Sequence, residues 1–552
     1  MRSDTEDFLD AGEAALEAGD WSRARAAFEV SLEREERAEA LLGLGTALYR
    51  LGDNDAAVRC LASAYAAFRR GPDRDPARAA STAIALYAIH RVSLGAVAES
   101  RGWLGRATRL VDECALGSVA GWVLLLRAHD SDDPAASESW GREAREAARS
   151  VGDADLELCA ISQVGAALVR LGRVGEGLGL LDEAAARALG GESARLDTVV
   201  FTVCTAIAWC CRIAEFERAR RWIRAGDELS ARYGSPHLFT VCRVHHGGIL
   251  FTTGDWAEAE SELEAAVAAS RSGERALHAE ALTRLAELRL AQGRLDEAAR
   301  LIAGCEDQAF AVPVLGAVRL AGGQLAAASA ILRRRLRALG DRCLECAPLL
   351  ELLCEVETAQ GALGAALSRA RTLVALGETL GCPIIAARGA RALGRVLAAR
   401  GDREAAVPAM EQARDGFARL GMPFEAARAR LLLAGALREA EPERAADEAR
   451  AALAGFDAAG AARDAEAAAS LLRALGVRIA RSGPRATALL SRRELEVLEL
   501  LGEGLGDDEI AARLELAPKA VEHHVASVRS KLGLRGRPDG AAHAARTLSA
   551  AG

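Results

Sequence analysis

The stretch LGTALYRLGDNDAA, Leu44 to Ala57, decides the fold. An Ala/Leu-rich segment runs into Gly52-Asp53, and a second segment opens with Ala56-Ala57 in its first turn. Glycine supplies the left-handed residue that ends a helix. Alanine at the start of the next helix lets the two helices approach closely. The stretch therefore reads as the bend of a helical hairpin. The same pattern returns at 19, 52, 95, 133, 172, 214, 254, 293, 323, 361, 401 and 441, at intervals of 30 to 43 residues. The small-residue place is read at Ala24, Ala57, Ala98, Ala136, Ala219, Ala259, Ala298, Ala327, Ala365, Ala405 and Ala445, with Glu176 after the turn at 172. Between hairpins stand Gly152-Asp153, Tyr233-Gly234-Ser235-Pro236, Gly381-Cys382-Pro383 and Gly421-Met422-Pro423, each a helix end followed by a breaker. One hairpin per period is the signature of a repeat array.

Composition agrees. Aromatic residues are 4% of the 552, while Ala, Leu, Gly and Arg abound. Such a chain suits many packed helices and not a β protein, which draws on β-branched and aromatic residues. Charged residues are 27% and the net charge is −8, so the chain as a whole is no electrostatic glue for nucleic acid. The start of the chain carries acids where a signal peptide needs a basic and then apolar run. The longest uncharged run, Thr198–Cys211, has 14 residues, too few to span a bilayer. A soluble, cytoplasmic protein without a membrane partner is expected. Twelve cysteines at irregular spacing read as small buried hydrophobes of a reducing compartment. Cys343-Leu-Glu-Cys346 is the only CxxC, with Cys354 as the nearest third ligand, and no metal site is expected.

The hairpins resemble tetratricopeptide repeats. Leu44-Gly45, Leu48, Gly52 and Ala57 fall at that motif's spacing, and Gly254-Asp255-Trp256 with Ala259 repeats its turn. Most periods lie nearer 40 than the motif's length of about 34 residues. An all-α, tetratricopeptide-like superhelix of about twelve hairpins is expected over 1–477. Its concave surface would grip a protein, a peptide or a small effector. His245-His246 and the run Arg333–Arg337 are candidates to line it, against the plainer reading of solvated helix faces. Around Arg481-Ser-Gly-Pro-Arg485 the pattern lapses into a breaker-rich linker, placed at 478–489.

Beyond it lies LSRRELEVLELLGEGLGDDEIAARLELAPKAVEHHVASVRSKLGLRGR, Leu490 to Arg537. Ser491-Arg-Arg-Glu494 reads as a capping box, so a helix starts at Arg492 with Leu495, Leu498 and Leu501 as its stripe and Gly504 as its stop. Asp507 caps a second helix carrying Ile510, Ala511 and Leu514. Pro518 opens a third that runs to Leu532, with Val521, Val525, Val528 and Leu532 on one face. Two helices joined by a short turn, the second with a polar outer face, make a helix-turn-helix whose second helix enters the major groove.

This stretch resembles the DNA-binding domain of the LuxR family of bacterial transcription regulators. The shared residues include Leu490, Ser491, Arg493-Glu494, Glu496-Val497-Leu498, Gly504, Glu509-Ile510-Ala511, Pro518-Lys519, Val521, His524-Val525, Lys531-Leu532-Gly533 and Arg537. The resemblance implies a small four-helix domain over 490–552. It places base contacts at Glu522, His523 and Ala526 and backbone contacts near Lys519 and Ala520. Ser527, Lys531 and Arg537 complete the expected interface. His523 can donate to guanine or phosphate, and Glu522 can accept from a cytosine amine. Charge agrees locally. Pro518 to Arg537 holds five bases and one acid, whereas Glu494 to Glu515 holds eight acids and one base. The small sum calls for a homodimer on a two-part site. The chain departs from the family at Gly506-Asp507, where Ser/Thr-Asn is usual. It also has Ala517 in place of the capping Ser and Ala520 in place of a Thr that touches phosphate.

The search for catalytic chemistry is negative. An NTPase needs a Gly-rich loop followed by Lys and Ser/Thr. The chain has two lysines, Lys519 and Lys531, and neither follows such a loop. The ATPase that large LuxR-type regulators place before their repeats is therefore not expected, nor is a receiver domain. No cofactor is implied, and acid pairs such as Asp132-Asp133 fall at turns, where helix capping explains them. The reading is a non-enzymatic regulator that binds promoter DNA, with an unknown effector on the array and RNA polymerase as a further partner. The alternative is an interaction scaffold whose helix-turn-helix is decayed or docks protein.

Overall fold

The computed structural model describes residues 4–70, 74–233, 236–271, 274–340, 343–477, 492–514, 516 and 518–532. Among these every regular element is helical. The chain divides into two compact units, Met1–Ala429 and Arg430–Gly552, ahead of the boundary expected at 478. The expected linker at 478–489 and the fourth helix of the terminal domain lie outside the described residues.

All twelve expected hairpin bends are present. Glycine bends the chain with a positive φ at nine of them, from Gly19 (74°) to Gly401 (84°). At the bends before Pro134 and Pro442 a proline instead starts the second helix. Asp133 caps there, its carboxylate accepting from the Ala135 N–H at 3.0 Å. The remaining bend has no glycine, yet Ala214 takes φ 65° because the repeat demands it. A helix not anticipated from the period, Ala462–Ala474, follows the last hairpin.

The small-residue register differs from the sequence reading. The fully buried residue sits five positions past the bend, or four where proline starts the second helix: Ala24, Ala57, Ser100, Ser137, Ala219, Ala259, Ala298, Ala328, Ala366, Ala406 and Ala445 are each 0% exposed. Gly177 holds the place after Gly172. Ala98, Ala136, Glu176, Ala327, Ala365 and Ala405, read from sequence, lie beside it on less buried faces. The reason is angular. Neighbouring helix residues face different ways, and only one position in the first turn points at the partner helix.

Twelve residues earlier, the partner helix presents its own small side in several repeats. The tightest case pairs Gly165 with Gly177: a Cβ on Gly177 would stand 2.6 Å from the Gly165 carbonyl oxygen. In another repeat Cys354 occupies the place, and its thiol donates to the Ala366 carbonyl at 3.3 Å.

Hairpins four to six apart touch, so the first unit is a superhelix that closes on itself after about five repeats. Hairpin 5 meets hairpin 10 through Arg170 and Glu345, 2.9 Å apart. Trp256 of hairpin 7 packs edge-on to Phe424, with centroids 5.0 Å apart. The early hairpins close with polar contacts. Arg50 makes two bonds to Asp197, at 2.6 and 2.7 Å, Ser93 donates to Glu274 at 3.3 Å, and Arg275 pairs with Asp55 at 3.0 Å. The apolar cores are separate clusters, one from Leu9 to Val123 and one from Ala166 to Ala429.

Two substitutions test this account with opposite signs. Gly177→Ala gains about 1 kcal/mol of helix propensity, yet the backbone clash should leave it about 1–3 kcal/mol less stable. Ala214→Gly removes a left-handed alanine and should gain about 1 kcal/mol. Urea-denaturation midpoints of the full chain read both.

Candidate DNA-binding helix and interior cavity

The helix-turn-helix is three helices, Arg492–Gly502, Asp507–Leu514 and Pro518–Leu532. Gly504, at φ 83°, ends the first. Ser491 of the expected capping box is outside the described residues. Asp507 is the first residue of the second helix and does not precede it. The helix start is secured by Glu509, whose carboxylate accepts from the Gly506 N–H at 2.6 Å. Leu516 closes the turn by donating to the Ala511 carbonyl at 2.9 Å. Val497, Leu500, Leu501, Ile510, Ala511, Val521 and Val525 form the core. The valine stripe thus packs inward, as its spacing requires.

With that stripe inward, Lys519, Glu522 and Ala526 are exposed. Their spacings of three and four put them on one face of the third helix. Ala520, His523 and Lys531 belong to the same helix, and Arg537 lies outside the described residues. Ser527 is half-buried, and its hydroxyl donates to Glu494 at 2.6 Å. Glu494 is 5% exposed, so this bond ties the third helix to the first across their interface. Sequence spacing alone placed Ser527 on the polar face and gave no sign of this tie. His524 is half-buried, at the edge of the core.

In the first unit the superhelix curves around a partly open cavity of about 2120 Å³. Its wall is built mainly from the first helices of successive hairpins, among them Gly117–Asp130, Ala154–Arg170, Leu196–Arg212 and Pro236–Thr253. The sequence signal for it was these helices' apolar character on more than one face, because one face packs on the hairpin partner and another looks inward. Of the candidate pair, His245 lines the cavity while His246 turns toward Glu262, with Nδ1 3.7 Å from the carboxylate. Arg335 lines it too, but Arg333 bonds Glu357 at 2.9 Å away from the wall. Cys343 and Cys346 are buried side by side, with sulfurs 3.1 Å apart. Cys354 is committed to Ala366 and not to them.

Two wall histidines are uncharged at neutral pH. Burial pushes His129 and His245 down to about 4. His129 stands beside Phe201 and 3.4 Å from the Gln163 carboxamide oxygen. In the unfolded chain both titrate near 6.5, so as pH falls the unfolded state takes up protons first. Their contribution is whole above about pH 6.5 and is lost progressively down to about pH 4. The denaturation midpoint should drop between about pH 7 and about pH 4.5, and His245→Gln should make that drop shallower.

Among the described residues no helix is long and apolar enough to cross a membrane. Residues 488–544 match the family described as "Bacterial regulatory proteins, luxR family", and residues 9–75 and 247–305 match "Tetratricopeptide repeat". Oxygen regulatory protein NreC of Staphylococcus aureus strain JH9, and the same protein of strain USA300, are 45% identical over 51 residues, 9% of this chain and 24% of theirs. The matched part thus spans about a quarter of the length of these curated relatives. Of solved structures, the APC/C hetero-tetramer Cut9-Hcn1 is similar over 86% of this chain and 96% of its own, at 13% identity and TM-score 0.44. A Rap protein complexed with competence and sporulation factor is similar over 58% and 97%, at 14% identity and TM-score 0.36. The chain joins tetratricopeptide repeats to a LuxR-family helix-turn-helix domain at its C-terminal end.

Proposed function

We propose that the protein is a bacterial transcription regulator. Its helix-turn-helix binds promoter DNA, and its repeat array takes an effector. The observation that carries this reading is the LuxR-family domain itself, with Lys519, Glu522 and Ala526 exposed on one face of its third helix. Lys519 would meet the phosphate backbone, and His523 with Glu522 would read base edges. Ala520, Ala526, Lys531 and Arg537 would frame these contacts. Ser527 would act by holding the helix through Glu494. The matched families are regulatory and protein-interaction modules, which supports a non-enzymatic role. A homodimer on a two-part operator, contact with RNA polymerase and a cytoplasmic location belong to the same proposal. So does a working division into an array over 1–477 and a DNA-binding domain over 490–552.

The test is a titration of the full chain and of fragment 485–552 against promoter DNA at several salt concentrations. Lys519→Ala should weaken binding across sequences and flatten the salt slope by about 1. His523→Ala should change base preference and leave that slope alone. If neither the chain nor the fragment discriminates between sequences, the regulator reading fails and the interaction scaffold replaces it.

A further inference from the structure

The cavity is a feature that DNA binding leaves unused, and four observations bear on what fits it. First, at about 2120 Å³ it exceeds the roughly 300–1,000 Å³ of ordinary small-molecule sites. Second, the wall offers apolar and aromatic surface, with Trp122, Phe201, Trp209 and Phe251 among its side chains.

Third, several of the wall's hydroxyl and amide groups are committed. The hydroxyls of Thr46, Thr205, Thr252 and Thr283 each donate to a carbonyl of their own helix, at 2.6 to 2.9 Å. The Gln163 amide donates to the Ala128 carbonyl and to Ser137. The chain's single asparagine, Asn54, is not in the wall. An extended peptide brings an N–H and a C=O with every residue, and each is costly to bury without a partner. The threonines and the amide named here, already engaged, do not supply them.

Fourth, its charges balance. The lining holds ten arginines and eight carboxylates. Arg50–Asp197, Arg170–Glu345 and Arg284–Glu287 pair within it, at 2.6, 2.9 and 3.0 Å. Arg78, Arg91 and Arg388 pair with Glu39, Asp130 and Glu351 behind it. With those three carboxylates behind it, arginines and acids are nearly equal in number, so no net charge selects an ionic ligand.

We propose that the cavity is a binding site for an electrically neutral small molecule with an extended apolar body. The proposal rests on the reading of the array as the sensing part and names the ligand class it senses. Gly248 offers a direct probe. It lies on the wall, and a Cβ placed there meets nothing within 4 Å. A larger side chain should therefore fill the cavity without a clash and with a gain in helix propensity.

The experiment titrates the full chain with N-phenyl-1-naphthylamine, a neutral apolar fluorophore. The related anion 1-anilinonaphthalene-8-sulfonate and a short acidic peptide form the comparison arms. The neutral probe should bind saturably, and the anion should bind no tighter. Gly248→Phe should weaken the neutral probe at least tenfold at unchanged circular dichroism and melting midpoint. Gly179→Phe, on an exposed position away from the wall, should behave as the parent. If Gly248→Phe does not fold, Ala208→Phe on the neighbouring inner helix serves as the plug. The proposal is overturned if the plugged variant binds the neutral probe as the parent does. It is also overturned if only the anion or the peptide binds. Promoter binding on the same preparations separates the two readings: loss of probe binding with intact DNA binding removes this ligand class and leaves the regulator.

Discussion

Twelve times along the chain two helices pass so closely that only a hydrogen, a methyl or a hydroxymethyl fits at the crossing. Ala57, Ser137 and Gly177 hold that place in their repeats, each buried against its partner helix. The rest of the array depends on this constraint. Close approach fixes the hairpin angle, and the hairpin angle, repeated, fixes the curvature. The constraint also explains the composition. A chain that spends its interfaces on Ala and Gly needs few aromatics, and those it keeps stand out when they appear on an inner wall.

Curvature is what turns a scaffold into a container. Because hairpins about five apart meet, the concave face becomes a deep, partly open cavity. The early hairpins close with polar contacts, from the exposed Arg275–Asp55 pair to the buried Ser93 hydroxyl on Glu274, and not with a shared apolar core. An exposed pair such as Arg275–Asp55 contributes little by itself.

In the helix-turn-helix the governing contact is a single buried carboxylate. Glu494, in the first helix, accepts from Ser527 in the third. The exposed face formed by Lys519, Glu522 and Ala526 is set by the valine stripe, while that bond ties its helix to the first. Positions that read as one polar face thus divide into a part that faces outward and a part that holds the helix in place.

Sequence alone determined the local features. Bends at glycine, helix starts at Pro134, Pro442 and Pro518, and the inward valine stripe are all settled by backbone propensity and helical period within a few residues. It also carried the two families, since both motifs are local spacings. What needed the tertiary structure were facts that depend on angle or on distant chain. The small-residue register was missed by one or two positions in six repeats, because neighbouring positions differ by about 100° in facing while composition treats them alike. His245 and His246 parted for the same reason, one to the cavity and one to Glu262. The closure of Arg170 on Glu345, 175 residues away, follows from a small rotation added at each of five repeats. No local pattern encodes that sum, so the cavity exists only once the chain has folded around it.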